Sequence, residues 1–370
     1  MEQWIHQAFL AFDQPIISYE DFMNMALYEK GNGYYMKDKE KIGKEGDFIT
    51  NSSIHPIFAE HFAQLFIEWI KKEQLDPCII ELGGGTGKFA EQVIGTIKEL
   101  DATLYEQLSY VIVDISPYHR KEQIKRLSPF SGFRTVSSLA EVQAKNAIIF
   151  ANEWLDAIPT RVIEKKQDRL YELGVKHQAD SFVEVTLPTV SSEVLSFLEQ
   201  YDPKIPTDFR IEVPILMMKE LKALYHQMNQ AIFVFVDYGF ERSERWAAHR
   251  KNGTMRGYYH HQLMTNVLMH VGDMDITIDV NWEYVKQVAE ECDVQTISLM
   301  KQTEFFLHSG MLSHLEETHD PNPFSSTMKK NRAIRSFLTS SMSASFDVCI
   351  QEKGCMNMKE WSFSQPLDWK

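Results

Sequence analysis

The sequence predicts an α/β protein in which helices cover both faces of a largely parallel β-sheet. Between Pro77 and Ala151, short apolar runs alternate with helix-period patterns, the rhythm of βαβ units. A glycine-rich turn joins the first of these runs to the next helix. From residue 160 to 187, apolar and polar residues alternate instead, which predicts antiparallel hairpins inserted after the fourth strand.

Apolar stripes and caps predict the helices, and short buried runs predict the strands. Ser18 and Asp21 have the spacing of a capping box, so a helix is expected to begin there. In chain order the predicted elements are helix 18–29, helix 56–74, strand 78–82, helix 89–97, strand 110–114, helix 117–127, strand 133–136, strand 147–151, hairpins over 160–187, helix 212–229, strand 231–237, a loop-rich region 239–275, helix 281–291, strand 293–299 and strand 345–351.

Changes in this rhythm divide the chain into four predicted segments. They are an N-terminal helical region (1–76), the first part of the sheet domain (77–159), an inserted subdomain (160–229) and the remainder of the sheet domain (230–370).

The composition is that of an acidic globular protein. The 370 residues include 38 Lys and Arg against 52 Asp and Glu, a formal net charge of −14. Such a surface repels phosphate backbones and anionic lipid. We therefore expect a cationic partner, and neither nucleic acid nor a membrane; a homodimer is left open.

The cysteines and the first residues predict a cytoplasmic location. None of the four cysteines lies in a C-x-x-C pair, which fits a reducing compartment. Residues 1–7 lack the basic and apolar regions of a signal peptide, and they are too acidic and too poor in Arg and Ser for a transit peptide. No run of about 18 apolar residues is present, so no membrane-spanning segment is expected.

The most informative segment is the glycine loop, residues 81–87, which reads Glu-Leu-Gly-Gly-Gly-Thr-Gly. Glycines at the carboxyl end of a strand let a ligand lie directly against the backbone. A P-loop is excluded because Leu82 and Phe89 occupy positions that need Gly and Ser or Thr. A dinucleotide remains an alternative, since residues 85–90 satisfy G-x-G-x-x-A.

S-adenosyl-L-methionine (SAM) is the second ligand that fits the loop, because its sites place an acid before G-x-G-x-G. The matching residues are Glu81, Gly83, Gly85 and Gly87. A purely structural turn would need fewer glycines than the four present here. Asp114 ends the next strand, where a carboxylate can bind the ribose hydroxyls of either ligand, so it favours an adenosine without distinguishing the two.

The end of the fourth strand carries an amide and two acids, Asn152, Glu153 and Asp156. Glu153 and Asp156 are three residues apart, so one helical turn would place them on a common face. Paired carboxylates can grip a guanidinium, whereas a dehydrogenase would more naturally offer His, Lys or Tyr. Capping and solvation of a loop is the alternative role for each acid. No metal site is expected, since His260, His261 and their neighbours lack ligand spacing.

Seven motifs in order give the sequence a specific resemblance to the MidA-type SAM-dependent methyltransferases, a family that includes the mitochondrial complex I assembly arginine methyltransferase. The resemblance spans about residues 18–310. The motifs lie at residues 46–50, 81–87, 151–159, 237–239, 253–260, 272–277 and 302–307.

The resemblance implies a class I SAM methyltransferase, Rossmann-like, with an N-terminal helical part and an insertion after the fourth strand. It implies SAM as cofactor and, from the mitochondrial members, a protein arginine as acceptor. The implied cofactor-binding residues are Thr50, Glu81, Gly83, Gly85, Gly87, Asp114 and Asn152. The implied catalytic residues are Glu153, Asp156 and Asp237, of which Asp237 could accept the released proton.

The chain departs from the family pattern at three places. The family loop is commonly Gly-Pro-Gly-Arg-Gly, and Gly84 and Thr86 replace its Pro and Arg. Asp114 replaces a more common Glu, and His261-Gln262 differs from the usual pattern there. SAM-dependent methyl transfer to a protein arginine or another cationic acceptor is the predicted function. The alternatives are a non-catalytic SAM-binding assembly factor and a methyltransferase of a small molecule.

Overall fold

The computed structural model describes residues 3–12, 14–38, 55–178, 181–241, 243–317 and 322–361. The helices in these ranges are α1 (Gln3–Leu10), α2 (Tyr19–Tyr28), α3 (Ile57–Glu73), α4 (Lys88–Leu100), α5 (Ala102–Gln107), α6 (Pro117–Leu127), α7 (Ser192–Tyr201), α8 (Ile215–Gln227), α9 (Trp282–Glu291), α10 (Gln302–His308), α11 (Ser326–Thr339) and α12 (Ser341–Ser345). None of these helices is both long and apolar enough to cross a bilayer.

The strands alternate with these helices along the chain. In the same described ranges they are β1 (Ile17–Ser18), β2 (Cys78–Leu82), β3 (Ser109–Val113), β4 (Phe133–Val136), β5 (Asn146–Asn152), β6 (Arg161–Lys166), β7 (Arg169–Gln178), β8 (Ser181–Thr186), β9 (Phe209–Val213), β10 (Gln230–Phe240), β11 (Arg256–Tyr259), β12 (Gln262–Met264), β13 (Asp275–Thr277), β14 (Val280–Asn281), β15 (Gln295–Lys301) and β16 (Phe346–Lys353).

The described residues form two compact units. Of the described residues, those within 49–154, 223–239 and 289–370 form the sheet unit, and those within 1–48, 155–222 and 240–288 form the insertion unit. The four predicted segments do not coincide with these units, because the N-terminal region divides between them. Its α2 belongs to the insertion unit, where β1 pairs with β7 through Ile17 and Val175, while α3 belongs to the sheet unit.

The sheet unit is built on a sheet whose strand order is β15-β16-β10-β5-β2-β3-β4. The pairs from β4 through β10 are parallel, and β16 is antiparallel to both of its neighbours. The chain runs outward from β2 to β4 and then crosses to β5 on the other side of β2. This reversal confirms the predicted α/β class and places a topological switch point between β2 and β5.

Aromatic side chains fill the core of the sheet unit. The α3 stripe predicted as core is fully buried at Phe58, Phe62, Phe66 and Trp69. Phe62 meets Phe150 of β5 with ring centroids 5.0 Å apart, and Phe150 stacks on Phe89 of α4 at 4.3 Å. Because these contacts join helices to the sheet, they fix where α4 begins relative to the end of β2.

The insertion unit is antiparallel, as the alternating pattern predicts. Its larger sheet has the order β1-β7-β6-β9, with β8 beside β7. Helix α2 packs on this sheet and begins at the predicted capping box of Ser18 and Asp21. A second sheet of β12, β11 and β13 lies in the region predicted to be loop-rich.

Candidate active site

The predicted site residues of the sheet unit meet at one edge of its sheet. Leu82, the last residue of β2, is paired with Val113 of β3 and Ala151 of β5. Asn152 of β5 is paired with Val236 of β10. Since these strands are parallel, the residues that follow their carboxyl ends lie along a common edge, where open α/β sheets bind ligands.

The glycine loop has the backbone that its composition predicts. Gly83, Gly85 and Gly87 all have positive φ angles, of 67°, 53° and 77°. A Cβ on Gly83 would lie 3.0 Å from Cδ1 of Trp154, so a side chain there would be both strained and crowded. The Gly83 N–H donates to the Val113 carbonyl at 2.8 Å, which fastens the loop to β3.

Glu81 lies in the interior beneath this loop. Its side chain is 4% exposed, and its Oε2 accepts a hydrogen bond from the Tyr110 hydroxyl at 2.8 Å. Burial raises the pKa of Glu81 to about 8, against the opposing effect of the Tyr110 bond. The carboxyl therefore holds a proton through most of the neutral range, and its predicted contact with the cofactor stays a prediction.

Asp114 follows β3 and is engaged with the protein on both oxygens. Its Oδ1 accepts from the Ser116 N–H at 2.9 Å, and its Oδ2 from the Gly85 N–H at 3.0 Å. The His119 ring lies 3.3 Å from the same Oδ2. Asp114 thus fixes the glycine loop in the structure, and its predicted role toward ribose stays a prediction. Ile115 beside it, which sequence reasoning missed, is 51% exposed and offers apolar surface at this edge.

Asn152 and Glu153 end β5 as a bonded pair. The Asn152 amide donates to Oε1 of Glu153 at 2.8 Å, and the Glu153 N–H donates to the Val236 carbonyl at 2.9 Å. Glu153 has a left-handed backbone conformation with a φ of 52°, which residues other than glycine rarely adopt. Strain of this kind persists where surrounding contacts impose it and is concentrated at functional sites.

Asp156 does not share a helical face with Glu153, contrary to the prediction. Glu153 is left-handed, and the short 3₁₀ turn Leu155–Ala157 begins two residues later, so no single helical turn contains both acids. Asp156 is 7% exposed, and its Oδ2 accepts from the Thr277 hydroxyl at 2.7 Å. Burial raises its pKa to about 6. This partner is 121 residues away, so local spacing could not reveal it.

Asp237 lies on β10 one position beyond the residue paired with Asn152. It is 1% exposed, and its Oδ1 accepts from the Tyr238 N–H at 2.9 Å. On the antiparallel side it pairs in register with Asp347, which is bonded to Lys301 at 2.7 Å. Its predicted role as proton acceptor stays a prediction. Thr50, with the whole 46–50 motif, lies outside the described residues.

The motif at 253–260 is organised around a half-buried acid within the insertion unit. Glu212 Oε1 accepts from the N–H groups of Thr254 at 2.8 Å and Met255 at 3.1 Å. Gly253 has φ of 80°, and a Cβ there would lie 2.4 Å from the same oxygen. The glycine is therefore required for the chain to wrap Glu212, a structural reason for this motif that spacing alone did not give.

The edge of the sheet unit fits an adenosine-linked amino acid better than a phosphate. The loop lacks the pattern of a phosphate-binding loop, and the polar side chains at the ends of β5 and β10 are the acceptors Asn152, Glu153 and Asp237. Asn152 Oδ1 is buried with no hydrogen-bond partner among the described residues, so it suits a ligand N–H donor. SAM carries amino groups and no phosphate. Strand order and site together define a class I SAM-dependent methyltransferase.

Comparison with known proteins identifies the family. Residues 59–300 match the model of a family of S-adenosyl-L-methionine-dependent methyltransferases, Methyltransf_28, and the chain belongs to this family. Its activity is therefore SAM-dependent methyl transfer.

Similar proteins include the mitochondrial protein arginine methyltransferase NDUFAF7. The Danio rerio protein is 25% identical over 339 residues, covering 83% of this chain and 76% of its own. The Homo sapiens protein is 23% identical over 324 residues, covering 80% and 70%. A Burkholderia thailandensis protein solved with S-adenosyl-homocysteine superposes with a TM-score of 0.83, at 24% identity over 96% of this chain and 93% of its own, and shows the fold.

Proposed function

We propose that this methyltransferase acts on an arginine side chain of a protein. The observation that carries the proposal is the name of the relatives, protein arginine methyltransferases, which align over about four fifths of the chain. The formal charge of −14 supports a cationic acceptor, since an acidic surface attracts such a partner and repels anionic metabolites.

The roles of the site residues follow from their chemistry. SAM supplies an electrophilic methyl group on a sulfonium. A guanidinium is protonated at neutral pH and delocalised, so it is a poor nucleophile until its charge is localised. Glu153 can do this because its carboxylate is oriented by Asn152 and its backbone is tied to β10. By binding one nitrogen, it would leave the opposite nitrogen more electron-rich and hold it in line with the methyl group. The proton that this nitrogen loses on methylation would pass to Asp237, the candidate acceptor on the neighbouring strand β10.

The identity of the methyl acceptor can be tested in a cell extract from a strain of the source organism that lacks this gene. The extract is incubated with methyl-tritiated SAM and the purified protein, and labelled bands are hydrolysed to amino acids. We expect one dominant labelled protein whose label elutes as methylarginine. Label in the small-molecule fraction, or on another amino acid, would contradict the proposal. Glu106→Gln, an exposed acid on α5, serves as the control variant and should label normally.

We propose that the protein is located in a reducing compartment, and that this compartment is the cytoplasm. No disulfide is present among the described residues, and Cys78, Cys292 and Cys349 are buried thiols. The NDUFAF7 relatives are named as mitochondrial proteins, so cell fractionation with a tagged full chain is the direct test. Recovery with a mitochondrial marker would contradict the cytoplasmic location.

A further inference from the structure

We propose that Gln123 is a positioning residue for SAM: together with Asp114 it holds the glycine loop in the shape that receives the cofactor. The inference concerns the cofactor side of the site and does not depend on which acceptor is methylated.

Gln123 is a fully buried polar residue on α6. Its Nε2 donates to the Gly85 carbonyl at 2.7 Å, and its Oε1 accepts from the Thr135 hydroxyl of β4 at 2.6 Å. A buried amide needs partners at both ends, and these two contacts supply them. Gln123 therefore ties the loop to the outer edge of the sheet.

Gly85 is held on both sides of its backbone. While Gln123 binds its carbonyl, Asp114 Oδ2 accepts its N–H at 3.0 Å. The two side chains also approach each other, with 3.5 Å between Gln123 Nε2 and Asp114 Oδ2. Side chains from two elements, α6 and the end of β3, thus fix the backbone of Gly85, which has a φ of 53°. A glycine has no side chain to restrict this angle by itself.

The rest of the loop packs against the same face of α6. A Cβ on Gly87 would lie 3.1 Å from Cγ of Gln123, so there is no space for a side chain between the loop and Gln123. Arg126, one turn further along α6, donates from Nε to the Thr86 carbonyl at 3.0 Å. Three consecutive loop residues are therefore positioned by Gln123 and Arg126.

A loop of glycines has many backbone conformations, and a ligand that must order it binds more weakly. A side chain that orders the loop beforehand removes part of that entropy loss. Because Gln123 is fully buried, it acts through the loop rather than by touching the ligand. Its loss should therefore weaken cofactor affinity and loosen the loop even when no ligand is bound.

The test replaces Gln123 by Met, of similar length and without hydrogen bonds to the loop. Gln351→Met is the matched control, since Gln351 is equally buried and bonds Tyr225 and Thr296, away from the loop. We expect Gln123→Met to weaken S-adenosyl-homocysteine about tenfold by calorimetry, and Gln351→Met less than about twofold. In the free protein, amide exchange over residues 83–90 should rise in Gln123→Met alone.

The same measurements on Gln123→Asn, which keeps the amide and shortens its reach, cover the case in which the Met variant does not fold. Unchanged affinity with unchanged loop exchange would overturn the proposal. An equal loss of affinity in Gln351→Met would also overturn it, because the effect would then follow from general destabilisation.

Discussion

Glu81 is a predicted cofactor-binding residue whose buried carboxyl lowers the stability of the folded protein at neutral pH. The variant Glu81→Gln measures this loss of stability. The carboxyl is 4% exposed and bonded to Tyr110, and burial raises its pKa from 4.5 to about 8. Between these two values the folded protein keeps a proton that the unfolded chain releases. The protein is therefore most stable, with respect to this group, below pH 4.5, where Glu81 is protonated in both the folded and the unfolded state. The free energy of unfolding then falls progressively as the pH rises from 4.5 through 8.

The size of the effect follows from the shift. One pKa unit corresponds to about 1.4 kcal/mol, so at pH 7 Glu81 lowers the free energy of unfolding by about 3 kcal/mol relative to a group that cannot ionise. A glutamine is such a group, and its amide oxygen can still accept the Tyr110 hydroxyl. We expect Glu81→Gln to be more stable than wild type by up to about 3 kcal/mol at pH 7, and by about 1 kcal/mol at pH 5.

Urea unfolding at pH 5 and pH 7 is the assay, with exposed Glu106→Gln as the control for removing a charge. If Glu81 also contacts the cofactor, the stabilised variant should bind S-adenosyl-homocysteine more weakly. A stability gain that is the same at both pH values, or a loss at pH 7, would show that burial does not raise the pKa of Glu81 in this way.

Three further predictions concern other residues. His61 is hydrogen-bonded to His314, and burial lowers the pKa of His61 from 6.5 to about 3. The free energy of unfolding should therefore fall as the pH drops below 6.5, because the unfolded chain takes up a proton that the folded protein does not. Urea unfolding should show a loss of about 2 kcal/mol at pH 5 in wild type, and His61→Gln should lack this loss. Gly87→Ala, at φ of 77°, should lower stability by about 1–2 kcal/mol by thermal unfolding and weaken S-adenosyl-homocysteine by calorimetry. Thr277→Val removes a hydrogen bond that lowers the pKa of Asp156, so carboxyl NMR titration should find that pKa above about 6; an unchanged value would rule out this contact.

Local patterns predicted elements of both units well. The α2 capping box, α6 at Pro117–Leu127 and the strands β2 to β5 lie within a residue or two of their predicted bounds. Their signals are short-range: a cap, a periodic stripe or a buried run between turns. The glycine loop was equally visible, because the positive φ angles that it needs favour glycine in the sequence itself.

Long-range partners were not predictable in the same way. Asp156 was predicted to share a helical face with Glu153, and its bond to Thr277 could not be foreseen because that partner is 121 residues away. The contact between Gln123 and the glycine loop was equally hidden, because Gly85 lies 38 residues away and the buried face of α6 is made of His119, Gln123 and Leu127. Helix α11 was missed because its apolar stripe is weak among charged residues.

Glu153→Gln separates an action of this acid on the acceptor from an action on the cofactor, and we expect the first. Two quantities are measured for wild type and variant: the rate of methyl transfer from tritiated SAM to proteins in the extract of the gene-deletion strain, and the affinity for S-adenosyl-homocysteine by calorimetry. We expect transfer to fall by about 10²–10³-fold, the effect of removing one charge-stabilising group, with affinity unchanged within about twofold. Transfer at the wild-type rate, or an equal loss of affinity and transfer, would contradict the account.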